Sequence, residues 1–349
     1  MTGHSNLSDF TARLLVTILL VGLALVLWAA RDAVLLGFAA ILLAIAVHGI
    51  ADGLMRIMPL PRPAALAIAA LSLLGSVAAI FWLFGAQLAG ELSRIVDRLP
   101  EAWGRVREIL ESNSLGASLV FEIENALSGN SEGSLQGMLA NVGGYALPLA
   151  SGLTTALLVM FIAAFMTTSA RSIRRGTLLL LPKGIDVRVG DALDASGRAL
   201  KKWLLGITID MVIIAVAMAI ALWALGVPAF IGLALIAGLS QFVPTIGPLV
   251  SSIPGILLAF TVGPMTALWT AIAYLAVSQL ESAFVYPLVQ QKTASIPPVL
   301  ILISVLAFGM LLGPLGILLA TPMLVVFSVF IVKLYVQDTL KKEAGYPGQ

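Results

Sequence analysis

The chain has 349 residues, of which 60% are hydrophobic and only 11% are charged, and its mean hydropathy is +1.04. Soluble domains carry about 25% charged residues, so this composition excludes a soluble globular protein and predicts a polytopic membrane protein. The net charge of +2 says little by itself, because the charges are segregated along the chain. The sequence has no cysteine and two distant histidines, so we expect no disulfide framework, metal centre or other cofactor. No nucleic-acid partner is expected either.

Eight apolar runs follow one another along the chain. Most are close to the roughly 20 residues that a helix needs to cross the bilayer core, and they lack the alternation of a β-barrel. The sixth and eighth runs are too long for one straight span, and each could be a long tilted helix, two half-helices or a re-entrant hairpin. The sequence therefore predicts an all-α polytopic membrane protein with about eight membrane segments and with broken or re-entrant helices in the C-terminal half. The runs are residues 14–30, 33–51, 64–86, 145–168, 204–226, 230–262, 265–286 and 299–334.

The charges between these runs predict the orientation of the chain. Residues 169–202 hold eight basic and three acidic residues, a net charge of +5, and the positive-inside rule places such a segment in the cytoplasm. Residues 87–141 hold four basic and eight acidic residues, a net charge of −4, and fall on the outer side. Four spans precede the basic segment, so we expect a cytoplasmic N-terminus. Lys341 and Lys342 favour a cytoplasmic C-terminus as well.

These features divide the chain into six parts. The acidic part contains apolar residues at helical spacing, so its helices could lie on the membrane, pack on other subunits, cover a pore mouth or form a small cap domain. The parts are three N-terminal spans in 1–86, an extracytoplasmic acidic amphipathic helical segment in 87–144, a fourth span in 145–168, a basic cytoplasmic linker in 169–202, a C-terminal membrane core with helix breaks in 203–336 and a cytoplasmic tail in 337–349.

Two carboxylates interrupt the apolar C-terminal half. Glu281 shares one helix face with Tyr274, Ser278 and Ser282, which lie at helical spacing, and it follows Gln279 closely. Asp210 lies inside the fifth run. A charged group in hydrocarbon is costly unless it faces a cavity or a partner, so both carboxylates, with the polar residues beside Glu281, are candidates for solute binding or ion coupling. Glu281 could instead form an interhelical hydrogen bond that holds helices or subunits together. Asp210 could instead lie near the inner membrane interface, reached by water or paired with a basic group.

Two short motifs break the long runs. Proline removes a backbone donor and clashes with the preceding turn, and broken helices at membrane depth are tolerated where they line a cavity or are buried in protein. Paired breaks are typical of transporters, although both could be kinks that only help helices to pack. The candidate break residues are Gln241, Pro244, Thr245, Gly247 and Pro248 in the first motif and Gly313, Pro314 and Gly316 in the second.

No motif points to an enzyme. The sequence has no P-loop of the form GxxxxGK[ST], so ATP-driven transport by this chain alone is unsupported. No nucleophile and base stand in a recognisable arrangement.

In order and spacing, the motifs of the C-terminal half resemble those of the autoinducer-2 exporter family, the PerM-like permeases. The resemblance covers the layout of the whole chain, from the three N-terminal spans to the C-terminal core. The matching motifs are 225–228 (LGVP), 242–248 (FVPTIGP), 279–281 (QLE) with Pro287, and 313–322 (GPLGILLATP).

The resemblance implies a secondary transporter of the bacterial inner membrane that exports a small polar solute, with autoinducer-2 as the candidate, coupled to an ion or proton gradient. Some family members are described as sodium or lithium/proton antiporters, but their Phe-Ser-Phe-Gly-type motif is not apparent here. A non-transporting membrane scaffold is the third reading. The partners implied are the lipid bilayer, a small polar solute or a monovalent cation or proton, and further copies of the chain in a homo-oligomer.

Overall fold

The computed structural model describes residues 22, 25–26, 28–76, 78–79, 146–244, 246–285, 296–341 and 345–347. Within these ranges every regular element is helical. The acidic segment predicted for 87–144 lies outside the described residues, as do most of the first apolar run and the segment that contains Pro287.

The described part of the chain folds into eight α-helices. Two π-helical segments, Glu281–Val285 and Ile331–Thr339, directly extend α7 and α8. Proline begins α7 and α8, where its missing N–H has no partner to lose. The helices are α1 (Arg31–Ile57), α2 (Arg62–Ser76), α3 (Ala146–Leu179), α4 (Ile185–Ala224), α5 (Phe230–Ser240), α6 (Ile246–Phe260), α7 (Pro264–Leu280) and α8 (Pro298–Phe330).

Three helical stretches of the described chain are long and apolar enough to cross a membrane. They are Arg31–Ile57, Ile185–Ala224 and Pro298–Thr339, and a fourth is added if α3, which bends by 76° between Ala170 and Ser172, counts as one span. The all-helical membrane fold is therefore confirmed. The expectations of eight membrane segments and of broken or re-entrant helices within the membrane go beyond these findings and stay predictions.

Helix α4 organises the described structure, since α1, α3, α5, α7 and α8 all pack against it. Its N-terminal half is lined with small buried residues such as Ala192, Ala195 and Ala199, which allow neighbouring helices to approach closely. The segment predicted as a basic linker, 169–202, consists of the end of α3, the turn before α4 and most of this half of α4. Its charges bind neighbouring elements: Arg174 of α3 binds Asp194 through two hydrogen bonds of 2.9 and 2.6 Å.

Helices α5 and α6 form a hairpin, in which α5 packs back along α4 and α6 packs against α5 and α7. A Cβ added at Gly238 would lie 2.5 Å from the Met211 carbonyl oxygen and 2.7 Å from the Ala215 Cβ, so only glycine permits this approach of α5 to α4. A Cβ at Gly247 would overlap the carbonyl oxygen of Ser240 across the turn. A tight turn at the first motif therefore separates the two short helices.

Helix α8 is folded at Gly313, whose backbone angles of φ 69° and ψ −155° are not helical and are open essentially only to glycine. A Cβ at Gly309 would lie 2.8 Å from Ile317, and one at Gly316 would overlap the carbonyl oxygen of Phe308. Residues eight apart in a straight helix are separated by about 12 Å along its axis, so these contacts show that the two arms of α8 fold towards each other at Gly313.

The α5–α6 hairpin and the folded arms of α8 approach α4 from opposite ends. Helix α5 follows the C-terminal end of α4 after the turn at 225–229. The segment after α8 instead returns to the N-terminal end of α4, where Arg188 Nη1 lies 2.7 Å from Asp338 Oδ2. Side chains from both turns, among them Phe242 and Leu315, pack against one hydrophobic cluster that includes Trp203 and Val325.

Candidate transport site

Two of the predicted polar residues meet between the helix hairpin and the end of α7. Gln241 Nε2 donates a hydrogen bond of 2.8 Å to Glu281 Oε2. Gln241 is only 3% exposed and Glu281 is half-buried, so this bond is partly shielded from water. An amide that donates to a carboxylate in such surroundings makes a charge-assisted bond, which is roughly twice as strong as a neutral one.

Backbone irregularities place both side chains. Gln241 is the C-cap of α5, and it lies at the turn that Gly247 makes possible. Glu281 is the first residue of the π-helical segment that extends α7. Single π-helical turns widen a helix and are frequent at functional sites. The end of α5 at Gln241 and the widened helical turn at Glu281 thus bring a hydrogen-bond donor and an acceptor together.

Asp210 of α4 is the third polar group of this region. It is 7% exposed, and its Oδ1 atom has no hydrogen-bond partner among the described residues. The close contact between Gly238 and Met211 holds the end of α5 within about one helical turn of Asp210, so the three polar side chains come from three different elements.

An open cavity of about 600 Å³ adjoins this polar group. The side chains Tyr274, Ser278, Glu281 and Ser282 all line it, as their shared helical face predicts. Most of the remaining wall is apolar, and none of the described lining residues is basic. The other lining residues are Pro244, Pro248, Leu249, Ser252, Ile256, Ala271, Leu275, Pro298 and Ile301.

Tyr274 stands at the end of the cavity wall that is formed by α6 and α7. It is 8% exposed, and its hydroxyl has no hydrogen-bond partner among the described residues. Its ring packs against Gly255, where an added Cβ would lie 2.6 Å from the Tyr274 Oη. Buried polar groups are nearly always hydrogen-bonded, so this buried hydroxyl, which packs against α6, is an exception among the described residues.

Other predicted residues lie elsewhere. Gln279 is exposed and does not line the cavity, and Thr245 lies outside the described residues. Gly313, Pro314 and Gly316 form the fold of α8, away from the cavity lining. Of the two breaks, only the first therefore contributes residues to the cavity. The role of each residue in transport stays a prediction.

The structure also adds residues that sequence reasoning missed. Pro298 and Ile301 of α8 close one side of the cavity, and no local pattern marks them, because they reach it only through tertiary packing. Gly255 stands in a run of small and apolar residues that resembles ordinary helix packing. Ser252 has a weak signal, since it follows the first break closely. Within the described residues, no group of three or more His, Asp or Glu side chains could hold a metal ion.

Known proteins are similar in sequence to between half and two thirds of this chain. The chain is 25% identical over 214 residues to YrrI of Bacillus subtilis (strain 168), which is named as a candidate transport protein, and the match covers 61% of this chain and 58% of YrrI. It is 32% identical over 180 residues to MT0215 of Mycobacterium tuberculosis (strain CDC 1551 / Oshkosh), named in the same way, with 50% of this chain and 48% of that protein covered.

A further relative, from Thermotoga maritima, is also named as a candidate transport protein. It is 25% identical over 227 residues, which cover 65% of this chain and 68% of the relative. The chain thus spans about half to two thirds of the length of these three relatives. The sequence model of the family described as AI-2E family transporter matches residues 17–335. The match confirms the family resemblance seen in the motifs, and the chain belongs to the AI-2E transporter family.

Proposed function

We propose that this chain is a secondary transporter that exports a small polar solute across the bacterial inner membrane, driven by an ion or proton gradient. The family supports a transport role, and its name makes autoinducer-2 the first solute to test. The solute would enter the cavity between α6, α7 and the start of α8. Glu281 and Asp210 would carry the coupling charge.

The observation that carries this proposal is the position of Glu281. Its carboxylate lines an open cavity and at the same time binds Gln241 at the turn of the α5–α6 hairpin. A solute or proton that binds Glu281 therefore competes directly with a bond that fixes the hairpin. Such a competition is a physical means by which occupancy of the cavity could shift the hairpin between two arrangements.

The two hairpins suggest how the membrane is crossed. Helix α5, with 11 residues, is too short to span the bilayer. We propose that the α5–α6 hairpin and the arms of α8 are re-entrant segments that enter from opposite sides of the membrane, because they approach α4 from its opposite ends. Discontinuous helices that meet near the bilayer midplane are a common architecture for solute sites in secondary transporters.

The test is transport by purified full-length protein in liposomes, with autoinducer-2 inside and with or without a proton gradient. We expect the wild-type protein to move the solute and Glu281→Gln to abolish movement, because glutamine keeps the shape of the side chain but cannot carry the charge. Asp191→Asn is the matched control, since it neutralises an exposed carboxylate of α4 outside the cavity.

Equal transport by wild-type protein and Glu281→Gln would remove Glu281 from the mechanism. A different outcome would support a non-transporting scaffold: no solute moves under any gradient, and Glu281→Gln weakens the homo-oligomer on native gels. In that case the buried polar groups would serve only to hold helices or subunits together.

Exchange of sodium or lithium for protons is the second candidate function. The half-buried carboxylate of Glu281 in a cavity wall that has no described basic residue, together with the buried carboxylate of Asp210, favours it. A pH-sensitive dye inside the liposomes would report proton flux when sodium or lithium is added. No flux over the neutral to mildly alkaline range would exclude this function for the chain.

A further inference from the structure

Among the described residues that line the cavity, Glu281 is the only one with a charged side chain. It is half-buried, and one of its two oxygens accepts the hydrogen bond from Gln241. A carboxylate can accept about four hydrogen bonds in all. Gln241 therefore leaves most of the capacity of this carboxylate unused, and none of the described lining residues is a base that could neutralise it.

The polar and apolar parts of the cavity wall come from different elements. Ser278, Glu281 and Ser282 all lie at the end of α7 or in its π-helical extension, whereas α6 and α8 supply mainly apolar side chains such as Ile256 and Ile301. The hydroxyl of Ser252 on α6 already donates a hydrogen bond of 2.7 Å to the carbonyl oxygen of Leu249. The wall thus combines one acidic end with apolar surface.

The size of the cavity favours a molecule over a bare ion. Its volume of about 600 Å³ lies within the range of about 300–1,000 Å³ that holds drug-sized ligands. Of the 13 lining residues, 8 are apolar, and a sodium or lithium ion beside Glu281 would leave their surface without a partner. A ligand with its own apolar surface would gain affinity by burying it there.

We propose that this cavity binds a monovalent organic cation, with the positive centre beside Glu281 and an apolar body against the side chains that α6 and α8 supply. The opposite charge attracts the cation and disfavours an anion of the same shape. The apolar wall distinguishes it from an inorganic cation. The claim that such a cation is exported rests on the proposed function, whereas the claim that it binds does not.

The chain has no cysteine of its own, so a single introduced thiol can report occupancy of the cavity. In full-length Ser252→Cys protein, the rate of reaction with N-ethylmaleimide, an uncharged reagent, is measured with and without each probe. The organic probes are tetraphenylphosphonium, a cation, and tetraphenylborate, an anion of nearly the same shape. Sodium and lithium chloride are the inorganic probes.

We expect tetraphenylphosphonium to slow the reaction and the other probes, at equal concentration, to leave it nearly unchanged. Val262→Cys protein is the control for effects outside the cavity, because its thiol lies in a turn that does not belong to the cavity lining. It should react at the same rate with every probe.

Charge variants in the Ser252→Cys background test the role of Glu281. Glu281→Gln should raise the half-protecting concentration of tetraphenylphosphonium at least about tenfold, because the attraction between opposite charges is lost. Glu281→Asp should keep most of the protection, since it shortens the side chain but retains the charge. A purely structural role of Glu281 predicts the reverse order, because glutamine preserves the length of the side chain and aspartate does not.

A second pair of variants tests the apolar wall independently of the charge. Leu275→Ala removes apolar surface from the lining and should raise the half-protecting concentration roughly fivefold. Leu268→Ala is the matched control, because Leu268 lies on the same helix with a similar exposed fraction, 55% against 66%, but outside the lining. It should leave the half-protecting concentration unchanged.

The outcomes separate this inference from the proposed function. Protection by tetraphenylphosphonium that Glu281→Gln weakens, without any transport in liposomes, would support the organic-cation site and overturn the transport proposal. Transport of autoinducer-2 without protection by tetraphenylphosphonium would overturn the site alone. Equal protection by the borate or by the inorganic salts would also overturn it, and so would protection that Glu281→Gln and Leu275→Ala both leave unchanged.

Discussion

At the residue scale, the candidate site depends on how buried polar groups are satisfied. Gln241 and Glu281 bind each other, whereas Asp210 Oδ1 and the Tyr274 hydroxyl have no partner among the described residues. An unpaired buried polar group costs roughly 1–3 kcal/mol. A structure that only needed to hold helices together would be more stable without such groups. The hydroxyls of Ser196 and Thr270 are buried without a described partner too, and only Tyr274 of these four residues lines the cavity, so an unpaired polar atom does not by itself mark a binding residue.

The hydrogen bond between Gln241 and Glu281 gives the first prediction at this scale. Gln241→Leu keeps the size of the side chain but leaves the carboxylate of Glu281 without its donor. We expect a loss of roughly 1.5–3 kcal/mol, the range for a hydrogen bond to a charged group, seen as a lower melting temperature of the purified protein, together with slower transport in liposomes.

Gln279→Leu is the control for this change. It makes the same substitution two residues before Glu281, at an exposed position outside the cavity. It should alter neither the melting temperature nor transport beyond a small effect. Equal effects of the two substitutions would show that the bond between Gln241 and Glu281 has no special importance.

At the scale of elements, glycine and proline decide where helices break. Gly313 adopts a backbone conformation that other residues avoid, and Pro314 after it can begin the second arm of α8 without losing a hydrogen bond. At the first break, Gly247 leaves room for the carbonyl group of Ser240. The elements that contain these turns are short or folded for identifiable steric reasons.

A series of glycine-to-alanine changes tests this account. Gly313→Ala should cost roughly 1–3 kcal/mol because of its backbone angles alone, since an added Cβ there meets no neighbouring atom. Gly316→Ala should cost more, because its Cβ would overlap the backbone of Phe308. Gly263→Ala should cost nearly nothing, because Gly263 has extended backbone angles and open space around it.

Melting temperatures of the three purified variants give the order directly. If Gly316→Ala were as stable as Gly263→Ala, the arms of α8 would not pack at Gly316 as closely as the structure shows, and the fold at Gly313 would lose its main support.

The same elements show how far the sequence could be interpreted. The prolines and glycines of both motifs predict irregular backbone, because their effects are local. The face shared by Tyr274, Ser278 and Glu281 also follows from helical spacing alone. The partner of Glu281 could not be found in this way, since Gln241 is 40 residues distant along the chain and meets it only when α5 packs on α4. The contribution of Pro298 and Ile301 to the cavity depends on tertiary packing for the same reason.

At the scale of the whole molecule, α4 connects the charged and the apolar parts of the protein. Its N-terminal half forms ion pairs with three other elements, through Lys201 and Asp52 of α1, Arg174 and Asp194, and Arg188 and Asp338. Its C-terminal half carries Asp210 and packs against α5. The charged end is the part that the positive-inside rule places in the cytoplasm.

Labelling of single cysteines tests this orientation, again in a chain that has no cysteine of its own. Lys183→Cys lies in the exposed turn before α4, and Val262→Cys lies in the turn between α6 and α7, where Val262 is 53% exposed. A membrane-impermeant thiol reagent applied to intact cells should label the second and not the first. In inverted membrane vesicles the order should reverse. The opposite result in both preparations would invert the predicted topology.

On the proposed route, solute passes through the cavity beside Glu281, and chemical blocking of that cavity would close this route. Transport of autoinducer-2 would be measured in liposomes that contain Ser278→Cys protein before and after reaction with a bulky thiol reagent, with Val262→Cys protein treated in parallel. We expect the reaction to stop transport by the Ser278→Cys protein and to leave the Val262→Cys protein active. Undiminished transport by fully modified Ser278→Cys protein would contradict the account, because the solute would then have to follow another route.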